Sequence, residues 1–130
     1  MFTKNDLMMI FSESDFLREL EEELDNWVQD NLSGKNWYWF EGFTVDNVEL
    51  DGCGIRDIIS FEESADSEDA VTVTGLLAID LPVNCFRYYD HDNFLVGTKF
   101  LKGQIRFSVR IFDREEPEEI EFSDLEVKIE

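Results

Sequence analysis

The sequence predicts an α+β fold: one N-terminal amphipathic helix packed on a curved, mainly antiparallel sheet of about five to six strands, in a single domain over residues 1–130. Three observations lead there. The apolar period is helical before Gly34 and two after it, the change that separates a helix stripe from a pleated strand. The later apolar runs are divided by short turn clusters and by no second long helical stretch, so no crossover is available for parallel pairing. A composition 43% hydrophobic, with twelve Phe, three Trp and three Tyr, supplies the apolar surface that a disordered acidic chain lacks.

Residues 12–33 read as the helix. Phe16, Leu17, Leu20, Leu24, Trp27, Val28 and Leu32 recur at three-to-four spacing and make one buried stripe. Ser12 or Ser14 offers a cap, Glu13 and Asp15 suit the positive helix end, and Gly34 is the expected stop. The other face presents Glu19, Glu21, Glu22, Glu23, Asp25 and Asp30, with Arg18 the only counter-charge. Residues 3–11 fit a short helix or a strand, and their pattern does not choose between the two.

Strands follow. Residues 36–43 are dense in aromatics (Trp37, Tyr38, Trp39, Phe40, Phe43) and read as a strand buried under the helix, with an interface hot spot as the second reading. A stacking platform for single-stranded nucleic acid needs a positive groove, and here Glu41 follows at once. Residues 44–50 and 55–61 flank Asp51-Gly52-Cys53-Gly54, a hairpin signal. Residues 62–69 hold no apolar side chain larger than Ala65 and read as a solvated loop. In 70–81, Val71, Val73, Leu77 and Ile79 alternate with polar residues, Gly75 suggests a bulge, and Pro82 then suggests an edge or a bend. Residues 83–89 and 94–112 straddle the turn cluster Asp90-His91-Asp92-Asn93, with Gly97 and Gly103 as bends in the longer strand. Pro117 sits in an acidic turn, and 120–129 closes the sheet with Leu125, Val127 and Ile129 on one face.

Charge is the most unusual property. Thirty-one acidic side chains against eleven basic ones leave a formal charge of −20. Such a field repels nucleic acid and anionic membrane surfaces and attracts basic protein surfaces. The charge is also uneven: residues 41–69 hold ten acids and one base, and 113–130 hold nine acids and two bases, whereas 70–112 hold three acids and five bases. No apolar window approaches the ~18–20 residues that cross a bilayer, and the opening residues show neither a basic region nor a small-residue cleavage site, so a cytoplasmic protein without membrane contact is expected. There Cys53 and Cys85 are reduced thiols rather than a disulfide framework, and the triplet Asn31-Leu32-Ser33 is not a glycosylation signal.

No catalytic residue, metal site or cofactor is expected. His91, the only histidine, lies between two aspartates, and neither Cys53 nor Cys85 has the electropositive surroundings that activate a thiol. Asp66, Glu68 and Asp69, or Asp90 and Asp92, are clustered carboxylates of the kind hard cations take. Counted from Asp90, however, the calcium-loop glycine and glutamate positions are both Leu (Leu95 and Leu101). Gly52-Cys53-Gly54 lacks the third glycine, the lysine and the following helix of a phosphate loop.

The acid runs Glu19/Glu22/Glu23, Glu62/Glu63/Asp66/Glu68/Asp69 and Glu115/Glu116/Glu118/Glu119/Glu121 point instead to a partner-binding surface. Neighbours on a helix stand about 5–6 Å apart, and alternate strand residues about 6.5–7 Å apart, spacings close to those of phosphates. In size and charge the chain is similar to the small acidic nucleic-acid mimics that phages use against restriction or CRISPR systems, a likeness of composition without a shared motif. The expectation is a non-enzymatic inhibitor that binds no nucleic acid itself and covers the cationic surface of a nucleic-acid-binding protein or nuclease. Two alternatives stand beside it: an immunity protein or antitoxin for a basic nuclease, and an accessory interaction domain whose acidity serves solubility. Halophilic adaptation would also raise the acid content, though the abundant Phe and Ile sit poorly with it.

Overall fold

The computed structural model describes residues 1–13, 15–33, 37–40 and 43–129. Its first helix, α1 (Lys4–Ser12), begins at a reciprocal cap: the Thr3 hydroxyl accepts from the Asp6 amide at 3.1 Å, and the Asp6 carboxylate accepts from the Thr3 amide at 2.9 Å. The second, α2 (Phe16–Asn31), buries Phe16, Leu20, Leu24 and Val28 at a spacing of four. The single helix expected over 12–33 is therefore α2 preceded by a separate α1. Ser12 does not cap α2; it ends α1, and its hydroxyl donates to the Met9 carbonyl at 3.1 Å. Asp15 occupies the cap position of α2 without a side-chain hydrogen bond, while the expectations for Ser14 and Gly34 lie outside the described residues. The break between the helices lets Phe11 stack on Phe16 at 3.8 Å between ring centroids. Both rings meet Phe107 edge-on, and Phe16 also meets Phe122, so one aromatic cluster ties the helices to the sheet.

Two short strands, β1 (Trp37–Phe40) and β2 (Phe43–Val45), pair only with each other. The side chains of the Trp37–Phe40 run lie outside the described residues, so neither reading of that run is decided. An open antiparallel sheet is made by β3 (Asn47–Leu50), β4 (Gly54–Ala65), β5 (Ala70–Tyr89), β6 (Asp92–Phe112) and β7 (Glu116–Lys128). Asp51-Gly52 is not a hairpin turn. Both β3 and β4 run antiparallel to β5, β3 against Val83 to Phe86 and β4 against Val71 to Asp80, so they are two lengths of one edge lane interrupted at residues 51–53. Pro82 explains how β5 continues where a bend or an edge was expected. The Asp51 amide donates to the Pro82 carbonyl at 2.8 Å. A strand residue's N–H and C=O point the same way, so the donor Pro82 lacks faces that interruption and no ladder bond is lost.

Alternation then sorts the side chains. Val73, Leu77, Ile79, Leu81, Val83 and Cys85 of β5 are buried with Leu101, Ile105, Phe107, Val109 and Ile111 of β6, all odd-numbered and all in the core beneath the helices. The even-numbered face is open. No bulge occurs at Gly75, which pairs in register with Phe61 and Phe107. The extra residues lie elsewhere: in β4, beside Gly97 in β6, and twice in β7, where Glu119 and Asp124 take φ of 50° and 52°. No helix among the described residues is long and apolar enough to cross a membrane.

A candidate acidic interface at one end of the sheet

Two chain reversals meet at one end of the sheet. β4 last pairs with β5 at Ala65 and Val71, and β5 first pairs with β6 at Ala70 and Phe112, so residues 66–69 and 113–115 turn side by side. The Asp113 amide donates to the Asp69 carbonyl at 2.8 Å and fastens one reversal to the other. The first is closed by the Asp66 and Ser67 amides on the Ala70 carbonyl at 3.1 and 3.2 Å. In the second, Asp113 and Arg114 both take positive φ (50° and 62°) and the Glu115 amide donates to the Phe112 carbonyl at 3.0 Å, the tight form that suits a twisted pair of strands.

This end carries four carboxylates from residues 63–69 and five from 113–119. Some already have partners. Arg110 lies 3.1 Å through Nε from Asp66 and 3.8 Å from Glu119, and the Thr72 hydroxyl also bonds Asp66. Glu63 accepts from the Phe2 amide at 2.9 Å, and the Arg114 guanidinium sits 5.2 Å from the Phe2 ring. Glu68, Asp69, Glu115, Glu116 and Glu118 are exposed and make no ion pair among the described residues. Asp6 of α1 and Glu13, which follows its last turn, border the same reversal, lining a recess of about 670 Å³ with Asp113, Glu115 and Glu116. The Thr3 amide and hydroxyl hold the Asp6 carboxyl below its ordinary value, which keeps that charge in place as pH falls.

Not every expected residue joins this ridge. Glu19, Glu22 and Glu23 lie on the back of α2, whose first residue packs on Phe107 and Phe122 rather than at the Phe112 end. From there α2 runs toward β3, where the Gln29 side-chain amide donates to the Val48 carbonyl at 3.2 Å. Glu62 and Glu121 stand in one row with Thr74 and Ser108 and line a shallow recess with Arg106 on the open face of the sheet, so both stay off the ridge. The three acid runs thus form one ridge, built from the second and third, and a separate helical back. Asp113, Asp6 and Glu13 were missed. Asp113 adjoins Glu115 in sequence and was readable, whereas nothing in the linear pattern brings α1 beside the β6–β7 turn.

The open face holds the bases. Arg56 pairs with Asp80 and Arg106 with Asp124, each at 3.5 Å, while Lys102 stands opposite Lys128. Those pairs are exposed and individually weak, about 0–1 kcal/mol. Their effect is to keep this face nearer neutral than the ridge.

The two thiols sit in discouraging surroundings for nucleophilic chemistry. Burial, with Glu21 second, pushes the Cys53 thiol up to about 11, and burial raises that of Cys85. Among the described residues no three His, Cys, Asp or Glu side chains converge as a metal shell. Comparison with protein-family models, with characterised proteins and with solved structures finds no match to this chain.

Proposed function

We propose that the protein is a non-enzymatic inhibitor whose acidic ridge covers the cationic nucleic-acid-binding surface of a partner protein, in the manner of an anti-restriction or anti-CRISPR mimic. One observation supports this reading above the others: the acid runs at 63–69 and 113–119, separated in sequence by residues 70–112, are fastened together through Asp113 and Asp69. Glu116 and Glu118, two residues apart on β7, are spaced about 6.5–7 Å and stand opposite Phe112 and Arg110 of β6. The mechanism is competitive occlusion, with association steered by the field and affinity that falls with salt. An immunity protein would act in the same way with a nuclease as its partner.

The test is a competition experiment. A labelled duplex is held by a basic, sequence-nonspecific DNA-binding protein or nuclease at low salt, and the chain is titrated in. The proposal expects release of the duplex, reduced at least about tenfold in potency by the combined change Glu68→Gln, Asp69→Asn, Glu115→Gln, Glu116→Gln and Glu118→Gln. Retention of the duplex across a panel of such proteins favours the accessory-domain reading instead.

A further inference from the structure

The ridge makes no use of the other end of the β5–β6 hairpin, where four of the exposed large apolar side chains among the described residues collect. Tyr88, Tyr89, Phe94 and Leu95 are 54, 65, 52 and 59% exposed. They stand at the tip of a rigid element. Tyr89 pairs with Asp92, which leaves a two-residue turn of Asp90 and His91, both at positive φ (50° and 68°). Arg87, Tyr89, Phe94, Leu95 and Val96 line a recess of about 580 Å³, with the Arg87 guanidinium 6.0 Å from the Tyr89 ring centroid. Tyr and Arg are among the residues that most often anchor protein interfaces, and a contiguous group of large apolar side chains left in water marks a surface that something covers.

The charge around the tip says what covers it. β5 is 20 residues long, so at about 3.3 Å per residue the tip lies up to about 65 Å from the ridge. That is far beyond the roughly 8 Å over which charge is felt at physiological salt, so only local groups matter. Asp90 and Asp92 flank the tip, and Asp46 accepts from the Tyr88 amide at 2.9 Å. Asp25 of α2 and Glu49 of β3 line an adjoining recess with Phe86 and Asn93. Against these five carboxylates stand two cations, Arg87 in the first recess and Lys99 one residue beyond the row of Glu49. We infer that the tip is a protein-docking element whose occupant is an apolar pocket set in a cationic protein surface. A second copy would set one acidic rim against another, and nucleic acid is repelled by the same rim. This inference does not rest on the ridge, since it uses different residues at the opposite end of the hairpin.

The test uses the full chain and two fluorescein-labelled helical peptides of equal positive charge, one of Lys and Leu and one of Lys and Ser. At physiological salt the chain binds the Lys/Leu peptide at least about tenfold more tightly than the Lys/Ser peptide. Hydrogen exchange of the complex shows protection within residues 86–95. Tyr89→Ser with Phe94→Ser, or Leu95→Ser alone, removes the difference and leaves Lys/Ser binding unchanged; thermal melts check that each variant folds. Neutralising Glu68, Glu115 and Glu116 to Gln leaves the difference intact, which separates this outcome from failure of the ridge. Four results overturn the inference: no preference for Lys/Leu, a preference kept in the tip variants, tip-dependent binding to phosphatidylcholine vesicles, or tip-dependent self-association in sedimentation.

Discussion

Gly75 is small because its neighbours leave no room. A Cβ there would come within 2.2 Å of the Ser60 carbonyl oxygen and 2.9 Å of the Phe107 ring, so β4 and the aromatic cluster both approach that backbone. Gly75→Ala is expected to cost about 1–3 kcal/mol, seen as a lower urea midpoint at unchanged m-value. Cys53 gives a second residue-scale expectation. Its thiol is pushed up to about 11 in the folded chain, chiefly by burial, whereas an unfolded thiol ionises near 8.5. A folded-state value above the unfolded one means stability that is complete below about pH 8.5 and is lost as pH rises toward 11. The urea midpoint therefore falls between pH 8 and pH 10.5, and Cys53→Ala reduces the fall, which isolates the share of this thiol.

Among the elements, the β5–β6 hairpin carries a correctable strain. Two non-glycine residues in the left-handed region cost roughly 1 kcal/mol each, and Asn-Gly is the sequence such a turn prefers. Asp90→Asn with His91→Gly is expected to raise the melting temperature by roughly 2–8 °C per kcal/mol relieved, measured by calorimetry. The element pattern was largely legible: the stripe from Phe16 to Leu32 lies along α2 and its C-cap, and the alternation around Ile105–Ile111 names the buried face of β6. What was not legible has physical causes. Phe11 and Phe16 belong to two helices because an aromatic stack across the break outweighs continuity. Asp51-Gly52 resembles a hairpin turn in composition, yet β5 is long enough to take β3 and β4 end to end, a fact set by tertiary pairing and invisible in a local window. Pro82 reads as a strand-breaker until one knows that its missing donor faces a gap. For the site, the spacing within each acid run was readable, but the joining of 63–69 to 113–119 and the separation of Glu19, Glu22 and Glu23 depend on which strand ends coincide.

At the scale of the molecule, charge has been sorted. The ridge and the helical back hold carboxylates in excess, and the open face of the sheet pairs Arg56, Arg106 and Arg110 with acids. On the proposed reading the two acid runs are held side by side for a cationic partner, against a mutual repulsion that destabilises the compact state. The salt dependence of binding measures this account most directly. With a basic DNA-binding protein as partner, the slope of log affinity against log salt should be steep for the native chain. It should fall by several units when Glu68, Asp69, Glu115, Glu116 and Glu118 are neutralised, and far less when the same number on the helical back, Glu19, Glu21, Glu22, Glu23 and Asp30, are neutralised instead. Equal slopes for the two neutralised variants would contradict it, since charge would then act through its amount and not through its arrangement at the end of the sheet.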